Sequence, residues 1–264
     1  MSASEATEVA KPMLHVDAHT HLGTCRVFDS DQGPEVLLGS MDRNGIDVAV
    51  VQPFPGAPDA GAVHDAIAAL GRAHPGRFFG MASVNPHGDR GAYGAEVERT
   101  VRELGFVGVK LHSLGHAVNP KSRDARMVFE TAATLSVPVM IHTGNGVPWA
   151  EPTMWLSLAR EFSATTVIFA HAGAPMFSGP AIAVAEIAPN VVLETSWCAP
   201  HDIGRAIRAL GAERVMFGSD LHFNPGPELA KYAAIGLSEV DLQASLGLTA
   251  ARIFGLPIAA ESPA

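Results

Sequence analysis

An alternating α/β chain, arranged as a (β/α)8 barrel or as a doubly wound open sheet, is the fold this sequence predicts. Three observations carry the expectation. Eight short apolar runs rich in β-branched residues recur along the chain. Amphipathic stretches at helical spacing separate them. No internal repeat or low-complexity break marks a second domain, and 264 residues suit one large domain.

The strand candidates are 13–18, 48–52, 78–83, 107–111, 137–141, 167–170, 191–195 and 215–218. They are continuously apolar instead of alternating, the pattern of strands covered on both faces of a parallel sheet. Pro138 is a local objection to the fifth run, but it stands near the run's start, where proline is tolerated. Helical faces lie between the runs: Val63, Ile67 and Leu70; Tyr93, Val97, Val101 and Leu104; Ile203, Ile207 and Leu210. Gly45, Gly105 and Gly211 fall where helices must end and the chain turn back into a strand. Residues 225–256 read as a helical extension packed under or beside the sheet. Residues 1–12 and 257–264 read as flexible tails flanking a domain at 13–256.

Composition excludes several function classes. A net charge of -9 argues against a nucleic-acid groove or a polybasic membrane face. No apolar run approaches the roughly 20 residues a membrane span needs. The polar, acidic start lacks a signal-peptide core. Cys25 and Cys198 are the only cysteines and lack metal-binding spacing, so a disulfide framework is not expected and a reducing cytoplasm is. A small-molecule substrate is the expected partner, and a homo-oligomer is compatible with the sequence.

The chemistry gathers where strands end. The first run leads into Asp17-Ala18-His19-Thr20-His21, whose two imidazoles point to one side because strand side chains alternate. His142 follows the fifth run, His171 the sixth and Asp220 the eighth. Each alone has a plain structural explanation, as a hydrogen-bonded histidine or a helix cap. Five at matching strand ends instead point to one shared site, at the end where barrel enzymes build theirs. Imidazoles with a carboxylate suit Zn²⁺ and tolerate Mn²⁺, Fe²⁺ or Co²⁺.

Other residues on this rim are candidates for touching substrate. Lys110 reads either as a carbamylated bridge between two metals or, the favoured alternative, as an inward lysine paired with a buried acid. His112 shares its side of the strand. Arg26 is the arginine nearest the His pair and could hold a carboxylate. Trp149 and Trp197, with Asn85, His87, His116 and His222, also follow strands and serve equally as loop packing.

At these residues the chain resembles the amidohydrolase superfamily. It is similar to the amidohydrolase-related branch that holds aminocarboxymuconate semialdehyde decarboxylase, resorcylate decarboxylases and small metal-dependent lactone hydrolases. The matching segments are Val16-Asp17-Ala18-His19-Thr20-His21, Gly108-Val109-Lys110-Leu111-His112, Ile141-His142-Thr143-Gly144, Ala170-His171-Ala172-Gly173, Phe217-Gly218-Ser219-Asp220 and the closing Ala250-Ala251-Arg252-Ile253-Phe254-Gly255-Leu256. The resemblance implies a single (β/α)8 TIM barrel with one divalent metal held by His19, His21, His142 and Asp220, zinc first among the candidates. It implies a catalytic role for His171, and beside a metal-activated water Asp220 is placed to take the proton, a second catalytic role. Hydrolysis of an ester, lactone or amide by a metal-activated water is the leading expectation. A non-oxidative decarboxylase is the alternative, and a ligand-binding barrel without catalysis the second alternative. The chain is shorter than the larger decarboxylases, which leaves little room for their inserted loops.

Overall fold

The computed structural model describes residues 13–27, 29–144 and 148–257. The tails expected at 1–12 and 257–264 lie outside them, apart from Pro257. One nine-stranded sheet forms the centre: β1 (Val16–Cys25), β2 (Ser30–Gln32), β3 (Val48–Pro53), β4 (Phe78–Ala82), β5 (Gly108–Leu111), β6 (Val139–His142), β7 (Val167–Ala170), β8 (Val191–Glu194) and β9 (Val215–Met216). The spatial order is β2-β1-β3-β4-β5-β6-β7-β8-β9. Every pairing is parallel except the β1–β2 hairpin.

The sheet curls, because its two ends meet. The Ala18 N–H donates to the Phe217 carbonyl at 3.1 Å, the Asp220 N–H donates to the His19 carbonyl at 2.7 Å, and Thr20 and Asp220 form a parallel bridge. Helices α1 (Pro34–Asn44), α2 (Ala60–Ala73), α3 (Arg90–Arg102), α4 (Arg123–Leu135), α5 (Leu156–Glu161), α6 (Ser178–Ile187) and α7 (Pro200–Leu210) cover its outside. Three further helices, α8 (Pro225–Ala234), α9 (Glu239–Gln243) and α10 (Thr249–Phe254), follow β9. Among the described residues no helix is long and apolar enough to cross a membrane.

Local chemistry explains these boundaries. The side chains of Asp59, Asp89 and Ser122 accept the Ala62, Ala92 and Ala125 N–H groups, capping α2, α3 and α4. Gly45 ends α1 in the left-handed region at φ 63°, where its N–H reaches the Met41 carbonyl. Pro138 falls just outside β6, and its carbonyl accepts the Val109 N–H, so no ladder donor is lost.

Two expectations change. The first strand continues past its apolar run to Cys25, because its polar residues still find partners: Thr20 and His21 pair with Val51 and Gln52, and Gly23 to Cys25 pair with β2. The short β2 was absent from the expected strands. It has three residues and no apolar periodicity to announce it.

Strand alternation sorts the core into two layers. Outward residues such as Ala49, Val51, Leu111, Ile141 and Phe169 pack against Leu37, Ile67, Val97, Phe129 and Ile203 of the helices. Inward residues Val16, Ala18, Val48, Val50, Met81, Met140, Ile168, Val192 and Met216 form a second cluster. Ala250 and Phe254 of α10, with Leu256, belong to that inner cluster and fill one end of it. Phe254→Ala should therefore cost about 3–5 kcal/mol, the usual cost of emptying a buried phenylalanine site. Urea unfolding followed by circular dichroism measures it. A loss below about 1 kcal/mol would mean that α10 is dispensable to the inner core.

Candidate metal centre

The inner cluster is apolar until the carboxyl ends of the strands, where it turns polar. β1 brings His19 and His21, β5 brings Lys110 with His112 just beyond, and β6 ends on His142. His171 follows β7 directly, Glu194 closes β8 and Asp220 lies past β9. All of these except Glu194 line one cavity of about 440 Å³, which Phe54, Pro55, Leu221 and Phe223 line as well.

Asp220 Oδ1 stands 3.1 Å from His21 Nε2 and 3.4 Å from His19 Nε2. Among the described residues, His19, His171 and Asp220 bring ligand atoms within 4.8 Å of one another. The His142 ring centre lies 4.8 Å from that of His171 and stacks at 4.0 Å on His112. The resemblance sets His171 apart from the ligands, yet its ligand atom lies within 4.8 Å of those of His19 and Asp220.

The donor set fits a divalent cation. The Pro53 carbonyl can only accept, so the His21 Nδ1–H donates to it at 3.3 Å, and in the neutral ring Nε2 then turns a lone pair toward Asp220. Two acceptors 3.1 Å apart repel unless a proton or cation lies between them. Adjacent ligands of one ion, with bonds of about 2.1 Å at angles near 90–110°, are separated by roughly 3.0–3.4 Å.

The surroundings hold these groups in place. Glu194 Oε2 lies 2.7 Å from His19 Nδ1. A Cβ at Gly218 would meet Glu194 Oε1 at 2.5 Å, so the glycine of the Phe217-Gly218-Ser219-Asp220 segment leaves room for this carboxylate. Trp197 Nε1 donates to Asp220 Oδ2 at 2.8 Å, and the buried Glu228 accepts the Trp197 N–H at 2.9 Å. His171, Trp197 and Asp220 all adopt left-handed φ values of 65°, 66° and 68°. Such conformations cost on the order of 1–3 kcal/mol each and persist only where partners over-determine them.

Electrostatics follow from burial. It brings Lys110 down to about 8 against the pull of Asp220 and Glu194. Burial also holds His19, His112 and His171 well below the ordinary imidazole range. For Asp220 burial works upward, but the His21 hydrogen bond and the nearby His19 and His171 draw it well below the usual carboxylate range. Asp17, buried beneath the site, is pushed up to about 7 by burial, against its hydrogen bonds from Ser219 and His19.

The other expected site residues divide. Lys110 Nζ donates to His19 Nε2 at 2.9 Å, so its hydrogen-bond partner is an imidazole instead of the acid anticipated. Arg26 is exposed in the turn after β1 and is absent from the cavity lining. Because β1 runs on to Cys25, Arg26 is five residues past His21, and at about 3.3 Å per strand residue the hairpin carries it away. Trp149 is half-buried, outside the lining, and its carbonyl accepts the Trp155 Nε1–H. His87 pairs with Asp124, and His222 with Gln32. Cys25 and Cys198 are buried free thiols. Glu194 and Ser196 were missed. The available signal was an ionisable residue ending an apolar run, Val191-Val192-Leu193-Glu194, the pattern that singled out Lys110.

Ionisable side chains gathered at the strand ends of a curled parallel sheet define the class: an enzyme of the amidohydrolase superfamily. The chain belongs to the amidohydrolase family, whose model matches residues 16–256. It is 32% identical over 111 residues to the decarboxylase orsB of Emericella nidulans, covering 40% of this chain and 34% of that one. It is 32% identical over 146 residues to a 2-keto-4-carboxy-3-hexenedioate hydratase of Sphingobium sp., covering 53% and 42%. The matched segments thus span less than half the length of either relative. In fold it is similar to 5-carboxyvanillate decarboxylase of Novosphingobium aromaticivorans, solved with manganese and 4-hydroxy-3-methoxy-5-nitrobenzoic acid. That likeness has a TM-score of 0.71 at 17% identity and covers 92% of this chain and 96% of the other.

Burial of His116 makes stability depend on pH. It depresses His116 from 6.5 to about 4. Below 6.5 the unfolded chain binds a proton there that the folded chain refuses until about pH 4, so stability is full above 6.5 and falls through that window. His116 alone accounts for roughly 3 kcal/mol of the loss. Urea midpoints of metal-free protein should fall between pH 7 and 4.5, and less steeply for His116→Gln. An equal fall in both proteins would remove His116 as a cause.

Proposed function

We propose that this chain is a divalent-metal-dependent lyase that decarboxylates a small, flat, carboxylated substrate. The observation that carries it is the buried ammonium of Lys110 in a cavity that Phe54, Pro55 and Phe223 also line. A fixed cation in a cavity partly lined by apolar side chains suits an anionic group on an unsaturated skeleton. The names of the partial relatives, a decarboxylase and a hydratase of a carboxylated substrate, support the same class.

His19, His21, His142 and Asp220 would hold the ion, with His171 as the acid–base residue beside it. Imidazole-rich ligation with one carboxylate suits zinc and accommodates manganese, iron or cobalt; the neighbour solved with manganese supports the broader range. When bound, the ion supplies Lewis-acid polarisation of a substrate oxygen. Lys110 and His112 orient the carboxylated end, and Phe54 and Phe223 exclude water from the skeleton. Decarboxylation needs one proton delivered to the carbon that loses carbon dioxide. Asp220 Oδ1 and His171 are placed to take that proton from solvent or a substrate hydroxyl and pass it on. The meeting of β1 with the segment after β9 supports reading the curled sheet as a closed (β/α)8 barrel, with α8 to α10 as its extension, over residues 13–256.

A second reading, hydrolysis of a carboxylated ester or lactone, is favoured by one feature. Asp220 is held ionised, which equips it to accept a proton from water.

Two measurements test these assignments. His19→Ala combined with His21→Ala should leave a folded chain that retains no divalent metal on elemental analysis, whereas His171→Ala should keep about one equivalent and lose activity by on the order of 10²-fold. Retained metal in the double variant would sink the centre, and metal lost from His171→Ala would make His171 a ligand. The metal-loaded protein should release carbon dioxide from a member of a panel of hydroxybenzoates and unsaturated dicarboxylates. Ring opening of lactones without carbon dioxide would replace the lyase by the hydrolase, and inertness toward both with metal bound would overturn both.

A further inference from the structure

Glu194 is a fully buried carboxylate on which four donors converge, and no cavity surface belongs to it. Oε2 lies 2.7 Å from His19 Nδ1, 3.1 Å from the His171 backbone N and 3.0 Å from Ser196 Oγ. Oε1 lies 2.5 Å from the Ser196 backbone N. Ser196 Oγ is in turn 2.8 Å from His171 Nδ1.

Hydrogen-bond polarity can be followed through this cluster atom by atom. An ionised carboxylate accepts and never donates. The proton between Glu194 and His19 is therefore on Nδ1, and His19 Nε2 carries the lone pair turned toward Lys110 and Asp220. Ser196 has a single hydroxyl proton. With that proton donated to Glu194, the oxygen facing His171 is an acceptor, so His171 is also protonated at Nδ1. In both rings Nε2 is then the only nitrogen left to receive a metal or a proton.

We propose that Glu194 is a positioning residue that sets the tautomers of two histidines at once, His19 directly and His171 through the Ser196 hydroxyl. It prepares a metal ligand and an acid–base group from one buried carboxylate. This rests on the roles given above to His19 and His171, but the tautomers themselves do not depend on them. Carboxylates that orient ligating histidines are worth about 10–100-fold in metal affinity, and here the same group also governs the neighbouring histidine.

Long-range ¹⁵N–¹H NMR on the metal-free protein, labelled at histidine, reads both tautomers before any question of metal or substrate arises. The parent should show Nδ1–H on His19 and His171. Glu194→Gln exchanges one acceptor oxygen for a donor and removes the charge, so the Nδ1–H preference of His19 should weaken and the Kd for zinc, measured by chelator competition, should weaken 10–100-fold. Ser196→Ala should release only His171, leave the His19 tautomer unchanged and keep the zinc Kd within about threefold, while shifting the pH–rate profile. A parent spectrum with Nε2–H on His19 overturns the proposal, as does Glu194→Gln with both tautomers and the zinc Kd unchanged. If Glu194→Gln does not fold, the parent spectrum and Ser196→Ala decide the matter. A parent that shows the expected tautomers but binds no zinc would refute the metal reading and leave the positioning role standing.

Discussion

The buried carboxylate of Asp17 ties the two ends of the sheet together. Its Oδ1 accepts the Ser219 N–H at 2.9 Å and the His19 N–H at 3.2 Å, while Oδ2 accepts the Ser219 hydroxyl. One side chain thus clamps the first strand to the segment beyond the last. His19, His21 and Asp220 belong to opposite ends of the chain, and their spacing of 3.1–3.4 Å exists only because this seam is closed. An unpaired buried donor at either Ser219 or His19 would cost roughly 1–3 kcal/mol, so the clamp supports both the closure and the cluster.

Above the seam, the protein concentrates what a stable core would avoid. Asp17, Glu194 and Lys110 are buried, and His171, Trp197 and Asp220 hold left-handed non-glycine conformations. None of these is favourable alone. They persist because each has a partner on a different strand, and because the layer beneath is continuous apolar packing from Val16 to Met216, plugged by Phe254. The rigid, inexpensive half of the inner cluster supports the strained, polar half.

Much of this was legible in the sequence because parallel strands impose a simple rule. A strand covered on both faces must be apolar until it emerges, so the first ionisable residue after each run marks the functional end. That rule found His19, His21, Lys110, His142, His171 and Asp220. It placed every strand except β2, whose three residues have no apolar pattern. Glu194 obeys the same rule and escaped because a lone glutamate at a strand end also reads as a solvated boundary. Arg26 failed for the opposite reason: proximity in sequence to the His pair was taken for proximity in space, and the continued hairpin separates them. Trp197 reaches Asp220 through a loop conformation that no periodicity encodes.

The seam also has a consequence for how the protein matures. Residues 19 and 21 leave the ribosome about 200 residues before Asp220 and more than 230 before the plug at Phe254. Until then the Ala18–Thr20 stretch of the first strand lacks its partners at Phe217 and Asp220, and its imidazoles face no Asp220 carboxylate. The spacing of His19, His21 and Asp220 is therefore out of reach of any fragment that ends before the seam.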